Sequence, residues 1–101
     1  MSSWQVYILR CADGTLYTGI TNRLPARLRA HNSARGAKYT RGRRPVVLAW
    51  STPCKSRGAA LSLEYTLKQL THRQKQTLVV AAGSARKKMV NRLKAMAAGR
   101  T

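Results

Sequence analysis

The stretch VYILRCADGTLYTGITN, residues 6–22, contains two short apolar runs joined by a polar turn, and each run carries one tyrosine. Residues 4–10 and 15–20 are rich in β-branched and aromatic side chains, which favour strands, and the ADG between them supplies turn chemistry. The stretch therefore predicts a β-hairpin that carries Tyr7 in its first strand and Tyr17 in its second.

The first of these strands has apolar side chains on both of its faces. Because side chains alternate along a strand, Val6, Ile8 and Arg10 share one face while Tyr7 and Leu9 share the other. Neither face is wholly polar, so we expect helices to cover much of the sheet.

A helix is predicted directly after the hairpin, in TNRLPARLRAHN, residues 21–32. Thr21 or Asn22 can serve as its N-cap, and Pro25 falls in the first turn, where proline is tolerated. The apolar stripe that this helix is expected to bury consists of Leu24 and Leu28.

The remainder of the chain combines one further strand with helices. Residues 46–50, VVLAW, predict a third strand, which is bounded by Pro45 and by the STP that follows it. Ser56 can cap a helix in which four apolar residues recur at helical spacing, and Thr71 can cap a shorter helix after it. The four apolar residues are Ala60, Leu63, Leu67 and Leu70.

The predicted order of elements is β-β-α-β-α-α, followed by a basic tail. The hairpin and the third strand can form one small mixed sheet of three strands flanked by helices, so the fold class is α/β, or α+β in the broad sense. We expect the folded domain to span residues 4–82. Residues 83–101 are expected to form a basic tail that is helical or partly disordered.

Charge is the most informative feature of the composition, with 20 Lys+Arg against 2 Asp+Glu among 101 residues and a net charge of +18. A polyanion is therefore the expected partner. Nucleic acid is favoured over a membrane surface, because the basic residues lie within a folding pattern among Tyr and Trp, and no apolar run approaches the roughly 18 residues that span a bilayer. The alternative is a basic protein that binds nucleic acid only incidentally. The N-terminus lacks the pattern of a secretory signal, so we expect a cytoplasmic protein.

Ligands for a metal ion are scarce in this chain. Cys11 and Cys54 have neither CxxC spacing nor a Cys/His quartet, so we interpret them as free thiols. Carboxylates, which suit a hard divalent cation, are limited to Asp13 and Glu64. The Asp-Gly of the hairpin turn explains Asp13 locally. Glu64 is either a metal ligand at the edge of a buried face or the surface ion-pair partner of Lys68, four residues on.

Four further residues are ambiguous when each is considered alone. Tyr7 and Tyr17 are typical half-buried packing residues of strands, with hydroxyls that reach the surface. Arg27 and His31 are four residues apart and project from one face of the predicted helix. Arg27 could contact phosphate or be solvated, and His31 could be an ordinary helix-surface residue.

Together these residues resemble the GIY-YIG nuclease superfamily. VYI at residues 6–8 and YTG at residues 17–19 are similar to the paired tripeptides that name it, and the arginine of RLRAH and then Glu64 follow in order. The resemblance covers residues 4–80 and is closest to the small single-domain GIY-YIG proteins of bacteria, which GAKYTRGRRPV and EYTLKQL also resemble. The chain departs from some members at Ile20, where they have a lysine.

The resemblance implies that five residues line one catalytic site: Tyr7, Tyr17, Arg27, His31 and Glu64. A single Mg²⁺ or Mn²⁺ on Glu64 would polarise the scissile phosphate, and Arg27 would offset negative charge on its oxygens. Tyr7 would remove the proton of the attacking water, with Tyr17 orienting and His31 assisting or sharing that role. Because a free tyrosine with a pKa near 10 is a poor base, we expect nearby positive charge to favour the phenolate form of Tyr7.

The leading interpretation is therefore a divalent-metal-dependent endonuclease that hydrolyses phosphodiester bonds in DNA, in repair or nucleic-acid turnover. Phosphate contacts position a substrate without specifying bases, so we expect structure-selective or weakly sequence-selective cleavage. DNA is favoured over RNA, with no membrane partner, no small-molecule cofactor, and a monomer or weak dimer. The alternative is a nucleic-acid-binding module that retains the fold with little or no catalysis.

A basic segment, SARGAKYTRGRRP at residues 33–45, fits this interpretation as a mobile loop that clamps the substrate. Its two glycines allow motion, and Tyr39 can stack on an exposed base. The residues assigned to phosphate contacts are Arg35, Lys38, Arg41, Arg43 and Arg44. The alternative is a loop that is merely solvated.

Overall fold

Three strands and five helices form the part of the chain that this computed structural model describes, residues 3–33 and 37–99. In chain order they are β1 (Trp4–Arg10), β2 (Leu16–Thr21), α1 (Leu24–His31), α2 (Lys38–Arg41), β3 (Val47–Cys54), α3 (Arg57–Lys68), α4 (His72–Val80) and α5 (Gly83–Ala98). The α+β class that the sequence predicts is confirmed. The segment interpreted as a loop contains one additional element, the single-turn helix α2.

The sheet has the strand order β2-β1-β3, and both neighbouring pairs are antiparallel. Tyr7 in the central strand is paired with Gly19 on one side and with Ser51 on the other. The prediction of a mixed sheet is therefore wrong. The crossover through α1 and α2 does make β2 and β3 run in the same direction, but β1 lies between them, so the two described strands that run parallel are not neighbours.

Strand β3 is longer than the predicted residues 46–50, because it continues through the STP segment to Cys54. Strand β1 pairs with β3 from Val47 to Cys54, with an irregularity in register that leaves Ala49 without a partner in β1. Pro53 is tolerated within the strand because β3 forms an edge of the sheet, where a missing N–H need not break a ladder. The proline therefore does not end the strand as predicted.

The two faces of the sheet bury different side chains, as the alternation in β1 predicts. Val6 and Ile8 belong to the larger core, which also contains buried side chains from α3, α4 and α5. Tyr7 and Leu9 lie on the opposite face, where the two leucines of α1 pack against them. We call this second surface the tyrosine face, and it is the face that α1 covers.

Two of the three helix caps predicted from the sequence are confirmed. The Ser56 hydroxyl accepts a backbone N–H at the start of α3, and Thr71 forms a capping box at the start of α4. Helix α1 has no side-chain cap, so the prediction that Thr21 or Asn22 caps it is wrong. Thr21 is still part of β2, and its hydroxyl accepts the N–H of Arg23 ahead of the helix.

Helix α5 lies in the segment predicted to be a basic tail, and it packs against α3. Its buried side chains, which join the larger core, are Val90, Leu93 and Ala97. Two of its cations bind carbonyls at the edge of β3: Arg86 Nη2 donates to Ser51 at 2.6 Å and Lys94 Nζ donates to Pro53 at 2.8 Å. None of the described helices is long and apolar enough to cross a membrane.

Candidate active site

Tyr7 lies at the centre of the tyrosine face and is only 1% exposed. Its ring crosses the neighbouring strand at Gly19, since a Cβ on Gly19 would lie 2.6 Å from the Tyr7 Oη and 3.1 Å from Cε2 of Tyr17. Glycine is required at this position because the side chain of any other residue would overlap the Tyr7 phenol. The last residue of YTG therefore makes room for the hydroxyl of the first tyrosine.

His31, the last residue of α1, contacts both tyrosines. Its Nε2 lies 2.9 Å from the Tyr7 Oη, and its ring meets the Tyr17 ring edge-on with centroids 5.1 Å apart. The imidazole is fully buried, so the interpretation of His31 as a helix-surface residue is wrong. Burial, together with the charge of Arg27, lowers the pKa of His31, which favours the neutral imidazole at pH 7.

Arg27 lies one turn before His31, and its positive charge acts on both tyrosine hydroxyls. The contact with Tyr7 is the main reason that the pKa of Arg27 is raised. Burial nevertheless raises the pKa of Tyr7, against the opposing effect of Arg27, and the charges of Tyr17 and Glu64 add to that rise. The positive charge of Arg27 therefore favours the phenolate as expected, but burial outweighs it, and the expectation that Tyr7 rests as a phenolate is wrong.

Thr40, for which the sequence predicts no role, completes this hydrogen-bonded cluster. Its Oγ1 lies 2.9 Å from His31 Nδ1 and donates to the carbonyl oxygen of Ala37 at 3.0 Å. The side chain is fully buried, although Tyr39 and Arg41 on either side of it are exposed. A single threonine in a charged segment carries no pattern that would have marked it.

Glu64 lies on α3, which packs against the other face of the sheet and contacts β1 and β2. Its side chain is 19% exposed, and its Oε2 lies 3.3 Å from Lys68 Nζ. Its negative charge nevertheless acts on the Tyr7 hydroxyl, whose pKa it raises. Glu64 lies at the edge of the buried face, as one alternative expects, and is paired with Lys68, as the other expects.

The donors near Tyr7 fit a hard divalent cation held by one carboxylate. Mg²⁺ usually binds proteins through one or two carboxylates, and water and substrate phosphate oxygens complete its coordination. Glu64, whose negative charge acts on the Tyr7 hydroxyl, carries oxygen donors of this kind. Across residues 3–33 and 37–99, no three His, Cys, Asp or Glu side chains are grouped as they would be in a site made of protein ligands alone. Cys11 and Cys54 are free thiols, as predicted.

Arg43, one of the residues predicted to clamp a substrate, is engaged within the protein. It donates from Nε to Asp13 at 3.0 Å and from Nη1 to the carbonyl oxygen of Tyr39 at 2.7 Å. Its guanidinium also lies over the Tyr39 ring, which contacts the Tyr17 ring with centroids 5.7 Å apart. Arg43 therefore attaches the basic segment to the hairpin turn and to the tyrosine face.

The other cations of the basic segment face solvent or lie outside the described residues. Lys38, Arg41 and Arg44 are exposed, and Arg35 lies outside the described residues. An open cavity of about 430 Å³ is bordered by Asn32, Arg41 and Arg44. Arg44 Nε donates to the carbonyl oxygen of Arg41 at 3.1 Å, which leaves its two terminal nitrogens for other partners.

A family comparison agrees with this arrangement, because residues 3–77 match the model of the GIY-YIG catalytic domain. The chain belongs to the GIY-YIG family. The GIY-YIG domain is a nuclease domain, and GIY-YIG nucleases generally use divalent metal ions. The resemblance seen in the two tripeptides is thereby confirmed.

Relatives of this GIY-YIG domain include small bacterial proteins. The chain is 53% identical over 81 residues to UPF0213 protein DP2720 of Desulfotalea psychrophila, covering 79% of this chain and 74% of the relative. It is 45% identical over 93 residues to UPF0213 protein YhbQ of Escherichia coli O127:H6, covering 92% of each. The solution NMR structure of UPF0213 protein BH0048 from Bacillus halodurans superposes with a TM-score of 0.50 at 44% identity, covering 78% of this chain and 83% of that chain.

Proposed function

We propose that this GIY-YIG domain is a divalent-metal-dependent endonuclease that hydrolyses phosphodiester bonds in DNA, with structure or weak sequence selectivity, in repair or nucleic-acid turnover. The observation that carries the proposal is the cluster of Tyr7, Arg27 and His31 around one buried hydroxyl, with the charge of Glu64 acting on it. The net charge of +18 supports a polyanionic substrate. We expect the protein to act in the cytoplasm as a monomer or weak dimer, without a small-molecule cofactor.

Tyr7 and His31 are proposed to act as a pair in removing the proton of the attacking water. Tyr7 carries its own proton at rest and lies within hydrogen-bonding distance of the neutral imidazole. As Tyr7 takes the proton of the water, His31 can take the proton of Tyr7. No isolated phenolate then has to form in advance in a buried site, which avoids the difficulty that tyrosine is a poor base at neutral pH.

Arg27 and Tyr17 are proposed to organise the substrate around that pair. The Arg27 guanidinium remains charged at all relevant pH values and can neutralise a phosphoryl oxygen while it stays beside the two hydroxyls. Tyr17 packs against the rings of Tyr7 and His31, so it restricts the directions in which both can point. These roles are those that the family resemblance implies.

Glu64 would hold the metal ion, either Mg²⁺ or Mn²⁺, through its carboxylate. When bound, the ion would supply polarisation of the scissile phosphate and stabilise the leaving oxygen. Lys68 neutralises Glu64 in the protein alone, and its side chain is 52% exposed, so it can move into solvent when a cation replaces it.

A nucleic-acid-binding module without catalysis is the alternative, and the ion pair between Glu64 and Lys68 is the observation that favours it. In such a module Lys68 would remain on Glu64 and the exposed cations would still bind phosphate. The two functions differ in one measurable property, which is metal-dependent cleavage.

A nicking assay on supercoiled plasmid, in Mg²⁺ or in EDTA, tests the proposal. We expect cleavage in Mg²⁺ only. We expect Glu64→Gln to abolish it while DNA affinity changes by less than about twofold, because one carboxylate contributes little beside the many phosphate contacts of a basic chain. Asp13→Asn is the matched control, since it neutralises the other acidic residue, and it should cleave normally.

Two outcomes would contradict the metal assignment: cleavage in EDTA, or full cleavage by Glu64→Gln. Tight DNA binding without cleavage in Mg²⁺ or in Mn²⁺ would favour the binding module instead.

A further inference from the structure

The hydrogen bonds around His31 have a direction, which the partners of Thr40 determine. The Thr40 hydroxyl donates its single proton to the Ala37 carbonyl, and its oxygen lies 2.9 Å from His31 Nδ1. A hydroxyl that has committed its proton can only accept at this second contact. His31 Nδ1 therefore carries the proton and donates it to Thr40.

The other side of the imidazole is consistent with this direction. A neutral histidine that is protonated on Nδ1 has a free lone pair on Nε2, which lies 2.9 Å from the Tyr7 Oη. This lone pair can accept the proton of the Tyr7 hydroxyl, and the positive charge of Arg27 also acts on the Tyr7 oxygen. All the donors and acceptors in the cluster are then matched.

The opposite tautomer would leave groups unsatisfied. If His31 carried its proton on Nε2, that N–H would donate to the Tyr7 oxygen, and the Tyr7 proton would lose the acceptor that it has in His31. Thr40 would have to turn its own proton from Ala37 towards Nδ1. Both His31 and Thr40 are 0% exposed, so water cannot replace the bonds that would be lost.

We propose that Thr40 is a positioning residue that holds His31 in the Nδ1–H tautomer, so that Nε2 can accept the Tyr7 proton; this rests on the proposed function. When Tyr7 takes the proton of the water and passes its own proton from Oη to His31 Nε2, Tyr7 remains a phenol, His31 becomes an imidazolium, and no bond of Thr40 is broken. The hydrogen bond from Nδ1 to Thr40 becomes charge-assisted and stronger at that moment. The basic segment thus contributes an uncharged, buried residue to the site.

The ¹⁵N chemical shifts of the His31 ring nitrogens, measured on the full chain without DNA or metal, test the tautomer directly. Thr40→Val keeps the shape of the side chain and removes the hydroxyl, while Thr40→Ser keeps the hydroxyl. We expect the wild type and Thr40→Ser to show a protonated Nδ1 and an unprotonated Nε2, and Thr40→Val to lose this preference. His72, the other histidine, is exposed and serves as an internal reference.

A matched control for the valine substitution is Thr18→Val. Thr18 is a buried threonine of β2 that contributes to the opposite face from the cluster, and its Oγ1 has no hydrogen-bond partner in the described part of the chain. We expect Thr18→Val to leave the His31 shifts and DNA cleavage unchanged.

Cleavage provides the second measurement. We expect Thr40→Val to lower kcat about 10- to 100-fold with KM changed less than about twofold, and Thr40→Ser to restore kcat to within about threefold of wild type. A Thr40→Val protein that keeps the Nδ1–H tautomer or the wild-type kcat would overturn the inference. So would loss of the tautomer in Thr40→Ser.

The two proposals can fail separately. If Thr40→Val does not fold, the wild-type shifts still decide, because a protonated Nε2 in the wild type refutes the role of Thr40. If the wild type cleaves no DNA but shows the expected tautomer, the proposed function fails, while the positioning of His31 by Thr40 stands on the shifts alone.

Discussion

Gly19→Ala adds one methyl group where the Tyr7 ring crosses β2. The new Cβ would lie 2.6 Å from the Tyr7 Oη and 2.7 Å from Cζ, so the phenol must move by about 0.8 Å to reach the 3.4 Å at which ordinary contact begins. Tyr7 is buried and its hydroxyl is bonded to His31, so the ring has little space to move into. We expect about 1–3 kcal/mol less free energy of unfolding and roughly 100-fold slower cleavage.

Urea denaturation and single-turnover nicking measure these two effects on the same protein. Gly58→Ala is the matched control, because its Cβ would meet nothing closer than 3.9 Å and alanine favours the helix in which Gly58 lies. We expect this control to gain about 0.5–1 kcal/mol in free energy of unfolding and to cleave normally. Wild-type stability and cleavage rate in Gly19→Ala would show that the contact does not position Tyr7, and the argument from space would be refuted.

Two further predictions concern the basic segment and pH. Replacing both Arg41 and Arg44 with Gln should reduce the slope of log K against log salt by about 1.4–1.8 units if both contact phosphate, whereas Arg43→Gln should chiefly lower stability, because Arg43 is bound to the hairpin turn. Folding lowers the pKa of His31 and raises that of Tyr7. The unfolded chain therefore binds more protons below the ordinary histidine pKa of 6.5 and fewer above the ordinary tyrosine pKa of 10.0. The free energy of unfolding, measured across pH, should therefore fall below pH 6.5 and above pH 10.0. If His31→Gln loses the same free energy of unfolding on acidification as the wild type, His31 is not the group responsible for the loss on the acid side.

Local sequence patterns predicted the elements that depend on neighbours along the chain. The hairpin, the alternation of Val6 and Tyr7, and the caps at Ser56 and Thr71 all depend on interactions within a few residues. Apart from the predicted cap of α1 and the single-turn helix α2, the errors concern longer-range choices. The order of the strands and the length of β3 depend on which strand becomes the partner of β1, and no local pattern encodes that partner.

The same distinction separates the parts of the candidate site. The sequence by itself determined which residue types are available: two strand tyrosines, Arg27 and His31 on one helix face, and a single glutamate. Only the tertiary structure decided that His31 meets Tyr7, 24 residues away, and Thr40, nine residues away. It also decided the direction of the Tyr7 pKa, because the desolvation of a buried hydroxyl depends on all the elements packed around it and here outweighs the charge of Arg27.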